Sequence, residues 1–173
     1  MGICSSQSTL PQILLLGLDN AGKTTFLYAD KWDQFDPTVG FNYEEIHLRQ
    51  IVHVGVWDVS GKSTLRCLWP LYYRNINFVA IVFVIDAEKE ERFAEARREL
   101  QILINEEELR ETAFLILFNS RFEPIFDLEE LTARVGLDLF HKTIKWKAAL
   151  VDLMEESEDF KLALKWLGEQ ITN

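Results

Sequence analysis

The chain is short of basic charge. Its 173 residues carry 18 Lys and Arg against 28 Asp and Glu, for a net charge of −10. The acidic residues crowd at Glu88–Glu91, Glu106–Glu108 and Glu155–Asp159, which read as solvated helix ends and loops. Such a surface repels a nucleic-acid backbone and anionic lipid headgroups, so a nucleic-acid partner is excluded. Cysteine is scarce too. Cys4 and Cys67 are far apart and make neither a CxxC pair nor a disulfide framework, which fits a reducing cytosol. The three histidines, His47, His53 and His141, lack metal-ligand spacing and are expected to be surface or strand residues. No apolar run reaches the roughly 18–20 residues of a membrane span, and no charged-then-apolar leader of the secretory kind is expected at the start. Repeats, low-complexity tracts and linkers are also missing, so the chain reads as one domain.

What is present is an alternation of apolar runs and helical patterns. Strands are expected at Gln12–Leu16, Phe41–Leu48, Val52–Asp58, Phe78–Asp86, Phe114–Asn119 and Ala149–Leu153. In the third, Val52, Val54 and Val56 alternate with His53, Gly55 and Trp57, the period of a strand. Helices are expected at Lys23–Ala29, Arg92–Asn105, Leu128–Val135 and Phe160–Gln170. Arg92–Asn105, with Phe93, Ala96, Leu100 and Leu103, has helical spacing, and Leu162, Leu164 and Leu167 mark the last helix. Apolar strands separated by helices imply an α/β fold, a parallel sheet covered on both faces. A tight turn between the second and third strands, near Arg49–Ile51, adds one antiparallel edge strand. In such sheets ligands bind beyond the carboxyl ends of the strands, so the informative residues should follow strands.

Straight after the first strand comes GLDNAGKTT, comprising Gly17, Leu18, Asp19, Asn20, Ala21, Gly22, Lys23, Thr24 and Thr25. This is G-x-x-x-x-G-K-[ST], a phosphate-binding P-loop. Its glycines let the backbone wrap closely, so that successive N–H groups meet phosphate oxygens. Lys23 reaches the outer phosphates, and the Thr24 hydroxyl is a Mg²⁺ ligand. The helix that follows turns its positive end toward the anion. Two further stretches agree with it. In DPTVGFN, Asp36 to Asn42, Thr38 lies where a loop can close on Mg²⁺ and a terminal phosphate. In WDVSG, Trp57 to Gly61, Asp58 can support the metal through water and the Gly61 N–H can contact the terminal phosphate.

GLDNAGKTT, PTVGFN, WDVSG, LWPLYYRN and DAEKEERFAEARRELQILINEEELRE together resemble the ADP-ribosylation factor-like (Arf-like) small GTPases of the Ras superfamily, over about Gln12 to Ile171. The resemblance implies a P-loop small G domain with a six-stranded sheet, and a GTP/GDP switch dependent on Mg²⁺. Thr38 would be a metal ligand in the GTP state only, and the loops around Thr38 and Gly61 would order on the terminal phosphate. It also implies effector proteins, and possible partners in an exchange factor and an activating protein, with a role in vesicle trafficking. Phe41, Trp57 and Tyr72 match the aromatic trio with which this family contacts effectors; core packing is the alternative for these three residues.

MGICSS at the start satisfies M-G-x-x-x-[ST], with Gly2 as myristate acceptor. One myristoyl chain binds membranes only marginally, and Cys4 would supply the second signal by palmitoylation. The alternative is an unmodified tail. The expected organisation is therefore a flexible segment over 1–11 and a small G domain over 12–173, monomeric, and peripheral on the cytosolic face of a membrane.

Two departures from the family stand out. Position 62 is Lys where the family has the Gln that orients the attacking water. Lys62 cannot accept that water's proton in the same geometry, so no catalytic residue is assigned and hydrolysis is expected to be very slow. The second departure is in FLILFNSRFEP, Phe114 to Pro124. Asn119 matches the first residue of the family's NKxD base-reading motif, but Ser120 replaces the Lys and Phe122 replaces the guanine-reading Asp. Losing that charge-assisted bidentate contact costs about 2–5 kcal/mol, and preference for guanine over adenine should fall with it. The other base loop aligns the family's small-residue pair with Asp152 and Leu153, which are larger and a poor fit to the base. Glu123, one residue beyond Phe122, could bring a carboxylate back by a small loop shift, or Phe122 could stack on the ring. Three functions follow: a poorly hydrolysing guanine-nucleotide switch, a pseudo-GTPase adaptor with impaired or relaxed nucleotide binding, or a P-loop enzyme of broader specificity.

Overall fold

The computed structural model describes residues 10–28, 40–48 and 52–172. Gly2, Cys4, Thr38 and the turn at Arg49–Ile51 lie outside the described residues.

Six strands form one sheet: β1 (Gln12–Gly17), β2 (Phe41–Leu48), β3 (Val52–Val59), β4 (Phe78–Asp86), β5 (Ala113–Asn119) and β6 (Trp146–Val151), in the order β2-β3-β1-β4-β5-β6. β2 pairs antiparallel with β3 and every other pairing is parallel. The helices are α1 (Lys23–Tyr28), α2 (Trp69–Tyr73), α3 (Phe93–Asn105), α4 (Leu128–Val135) and α5 (Glu158–Thr172). The expected α/β class and antiparallel edge are therefore what the chain adopts.

Each face of the sheet carries its own core. On one face Leu14, Leu16, Ile81, Phe83, Ile116 and Phe118 pack under α3 and α4. Phe93, Ala96, Leu100 and Leu103 of α3 are all buried, at the spacing that marked the helix. On the other face Ile13, Leu15, Val54, Val56, Val82 and Leu117 meet Phe26 of α1 and Phe160, Ala163, Leu164 and Leu167 of α5. Burying a side chain of this size stabilises by about 1.5–3 kcal/mol, so central strands that bury both faces hold the sheet.

Several bounds differ from expectation. The last strand runs Trp146–Val151, not Ala149–Leu153. It is an edge strand, so pairing with β5 from Phe114↔Trp146 to Asn119↔Val151 sets its ends, and only its last residues look apolar throughout. The Asp152 carboxylate then accepts from the Met154 N–H at 2.8 Å and turns the chain away. Leu162 is 53% exposed and belongs to the solvent side of α5; the buried stripe is 160, 163, 164 and 167, the i, i+3, i+4, i+7 pattern. Arg92 sits in a 3₁₀ turn before α3 and not in the helix. The helix α2 was not expected. Pro70 in its first turn favours it.

Candidate functional site

The parallel register brings the carboxyl ends of five strands to one edge: Leu15 opposite Asp58, Gly17 opposite Val84, Asp86 opposite Asn119 and Asn119 opposite Val151. The loop Gly17–Thr25 crosses this edge. Gly17, Asn20 and Gly22 have φ of 145°, 61° and 102°. Left-handed residues in such a run turn successive N–H groups to one side, which makes a concave anion nest. Gly22 is required twice over, by its φ and because a Cβ there would lie 2.6 Å from Nδ2 of Asn119.

Lys23 folds back across this loop and donates from Nζ to the Leu18 carbonyl at 2.8 Å. It is 7% exposed, and burial pushes its amine down to about 8, against the opposing pull of Asp58 and Asp19. A polyphosphate in the nest would compensate this charge. One residue on, Thr24 Oγ1 donates to Asp58 Oδ2 at 3.1 Å, and Asp58 is 0% exposed at the end of β3. Two hard oxygen donors thus meet beside the nest, the donor set that Mg²⁺ takes when it is shared with phosphates. The residues fit that ion: Thr24 would hold it directly and Asp58 through water.

The chain after β3 lies on the phosphate loop. A Cβ on Gly61 would come within 2.1 Å of the Gly17 carbonyl oxygen, 2.5 Å of Leu18 C and 2.7 Å of Asp19 N, all backbone atoms. Only glycine permits this approach. Ser60 is anchored just before it, donating from its N–H to the Gly40 carbonyl at 2.8 Å while its own carbonyl accepts from Trp69 Nε1 at 3.0 Å. Lys62 follows, exposed to solvent.

Sequence reasoning missed the ion-pair network that holds this arrangement. Arg66 is 8% exposed and donates from Nε to the Gly61 carbonyl at 2.7 Å. Its guanidinium pairs with Glu95 at 2.8 Å, Glu99 at 3.1 Å and Asp19 at 3.5 Å. Arg92 donates to Asp19 twice, to the carbonyl at 2.9 Å and the carboxylate at 2.7 Å, and also pairs with Glu95 at 3.1 Å. The Arg92 hydrogen bond holds the Asp19 carboxyl below its usual range, and Arg66 does the same for Glu95. The phosphate loop, the segment after β3 and α3 are thereby joined. The acidic partners of Arg66 are 29 or more residues away in sequence, and no local motif names them.

On the base side, Asn119 ties three loops together. Its Nδ2 donates to the Ala21 carbonyl at 3.2 Å and its Oδ1 accepts from the Leu153 N–H at 3.3 Å. Leu153 is 2% exposed, buried in the core that also holds Ala21, and its Cδ1 would lie 3.4 Å from a Cβ built on Gly22. Ser120 is 7% exposed and donates to the Phe122 carbonyl at 2.9 Å, while Phe122 is 74% exposed.

The aromatic trio forms one cluster at the surface. Phe41 stacks on Trp57 with ring centres 5.3 Å apart, and Tyr72 meets Phe41 at 5.7 Å and Trp57 at 6.2 Å. Phe41 is 48% exposed and the other two are half-buried. Trp57 Nε1 donates to Gln12 Oε1 at 2.8 Å. His47 and His53 stack across the hairpin at 4.3 Å, and among the described residues no group of three or more candidate ligands forms a metal cluster.

The fold is similar to that of the Arl6 (BBS3) small GTPase from Trypanosoma brucei, solved with the bound nucleotide analogue GppNp. The TM-score is 0.82 and the identity 25%, covering 94% of this chain and 97% of that one. The family model of the ADP-ribosylation factor family matches residues 3–171. With its P-loop small G domain fold, the chain belongs to the ADP-ribosylation factor family.

Proposed function

We propose that this protein is an Arf-like nucleotide switch that binds guanine nucleotide with Mg²⁺, hydrolyses it very slowly, and recruits effectors at a membrane. The observation that carries the reading is the apposition of three elements: the nest of Gly17–Thr25, the Thr24–Asp58 pair at 3.1 Å, and Gly61 packed on the nest's backbone. Family membership and the nucleotide analogue bound to the Trypanosoma brucei relative support it.

In this reading Lys23 exchanges its Leu18 carbonyl for phosphate oxygens, and the nest's N–H groups take the remainder. Mg²⁺, where bound, would supply positive charge toward the phosphates. Thr24, Asp58 and, from the sequence, Thr38 would be the residues to hold it. Gly61 donates its N–H to a terminal phosphate, so the two nucleotide states differ in their contacts with the segment after β3. A switch requires such differential contacts. Arg66, bonded to the Gly61 carbonyl, carries the difference to α3. Phe41, Trp57 and Tyr72, on the strands and helix flanking this segment, present the effector face. Lys62 leaves water unoriented, which makes hydrolysis slow.

Membrane attachment rests on Gly2 and Cys4, as acceptors of two acyl chains. Among the described residues no helix is long and apolar enough to cross a membrane.

One observation favours the adaptor as a second reading. Phe122 stands where the family's base-reading Asp would be, and it points to solvent at 74% exposure. Backbone amide exchange of residues 58–68, measured with GTP-γ-S, GDP and no nucleotide, separates the two. A switch gives slower exchange around Gly61 with the triphosphate than with the diphosphate. An adaptor gives the same exchange in all three.

A further inference from the structure

The base loop is capped by a carboxylate from another element. Glu88 lies two residues past β4 and sends Oε1 to the Arg121 N–H at 2.7 Å, the Phe122 N–H at 3.3 Å and the Ser120 hydroxyl at 3.4 Å. Its own position is fixed from below. The Asp86 carboxylate accepts from the Glu88 N–H at 3.0 Å, and the neighbouring Ala87 N–H donates to the Asn119 carbonyl at 2.9 Å. From the other side, Ser120 donates its N–H to the Val151 carbonyl at 2.9 Å. The loop is thus bonded to the ends of β4 and β6, and one oxygen gathers the amides of its exposed residues. The bond to the Arg121 N–H, at 2.7 Å, is of the short, charge-assisted kind, and the other two are longer and supplementary. A loop filled this way from the protein side has no reason to swing Glu123 inward, because doing so breaks all of these bonds at once.

We infer that Glu88 is the positioning residue of the base loop: it holds Asn119–Phe122 as a fixed platform with no carboxylate facing the base, so the site takes guanine and adenine nucleotides with little discrimination. This deepens the switch reading and rests on it for the identity of the ligand. The platform still offers a base the Asn119 side chain and backbone groups, but nothing that accepts two hydrogen bonds from a guanine edge. A site without such groups cannot reject the analogue that lacks them.

Glu88→Ala and Glu88→Gln decide it. Affinities for GTP, ATP and inorganic triphosphate are measured on the full chain by tryptophan fluorescence, and exchange of the Arg121 and Phe122 amides by NMR. In the wild type, GTP and ATP should bind within about tenfold of each other. Glu88→Ala should speed exchange at both amides at least about tenfold and weaken GTP and ATP together by about tenfold, the worth of one bond to a charged acceptor. Inorganic triphosphate should bind as before, which a general loss of structure would not allow. Glu88→Gln keeps an acceptor without the charge and should fall between. Unchanged exchange in Glu88→Ala overturns the proposal. So does a loss confined to GTP, which would make Glu88 a direct reader of guanine, or a wild type that prefers GTP by a thousandfold. A wild type that binds neither nucleotide nor triphosphate overturns the switch reading instead, and the exchange measurement then decides Glu88 alone.

Discussion

Thr24 and Asp58 are joined by a hydrogen bond of 3.1 Å that links the first turn of α1 to the end of β3. The two residues are 34 apart in sequence, and only the parallel pairing of β1 with β3, Leu15 opposite Asp58, brings them together. Thr24→Ala removes a donor to a carboxylate that is 0% exposed. The ligand-free protein should lose about 1.5–3 kcal/mol, as for other bonds to charged groups, read as a shift of the urea midpoint. Mg²⁺-dependent nucleotide affinity should fall about 10–100-fold. Loss of stability with no change in Mg²⁺ dependence would place the metal elsewhere.

Gly61→Ala tests the contact between the segment after β3 and the phosphate loop. The added methyl would meet backbone atoms at 2.1–2.7 Å, and these cannot rotate away as a side chain can. The segment must lift, at a cost of about 1–3 kcal/mol. The expected result is a folded protein in which GTP and GDP bind with equal affinity. A retained preference for GTP would show that Gly61 does not sense the terminal phosphate.

Arg66 is the buried hub, so truncation should cost more than at an exposed ion pair. Arg66→Ala leaves Glu95 and Glu99 facing each other without their shared cation, and about 3–5 kcal/mol is expected from the unfolding midpoint. Arg74→Ala, whose side chain is 53% exposed beside Glu106, should shift the midpoint far less, because solvent screens that pair. Equal effects would remove the special standing of Arg66.

The same network sets an acid limit. Asp19 and Glu95 have folded-state pKa values below their ordinary 3.8 and 4.5. Their contribution to stability is therefore complete above pH 4.5 and is lost as pH falls through and below that range, where the unfolded chain binds protons first. Asp19→Asn should be less stable than wild type at pH 6, with the gap closing toward pH 3. A gap that stays constant with pH would show that the Arg92–Asp19 pair contributes through shape alone.

How much of this was legible in sequence follows from the range of each interaction. Gly17–Thr25 could be placed because a strand, a glycine loop and a helix are contiguous, and the strand ends placed Asp58 and Asn119. Residue spacing gave the buried face of α3. The bond from the Leu153 N–H to Asn119 was not legible, because it depends on how the chain turns after β6 and not on residue type. Glu88 and Arg66 were invisible because both act on partners about 30 residues away; Glu88 lies in an acidic run that reads as solvated surface, and Arg66 in a segment with no motif to mark it. Trp146 was missed as a strand start because an edge strand is defined by its neighbour more than by its own apolar run.

Lys62 is exposed, which makes it a clean site for a gain of activity. Lys62→Gln restores a side chain able to orient water and should leave the melting temperature within about 1 °C, since surface changes are small. Single-turnover GTP hydrolysis should rise at least about tenfold, because the attacking water is again oriented. No rise would mean that Lys62 is not what keeps hydrolysis slow.

The most direct test of the switch is a calorimetric titration of the nucleotide-stripped protein with GTP, with and without Mg²⁺, repeated on Thr24→Ala. The account predicts saturable binding at one site, tightened by Mg²⁺ in the wild type and insensitive to Mg²⁺ in the variant. No heat and no tryptophan response at millimolar Mg²⁺ and GTP would contradict it, and would leave the P-loop fold serving as a fixed adaptor.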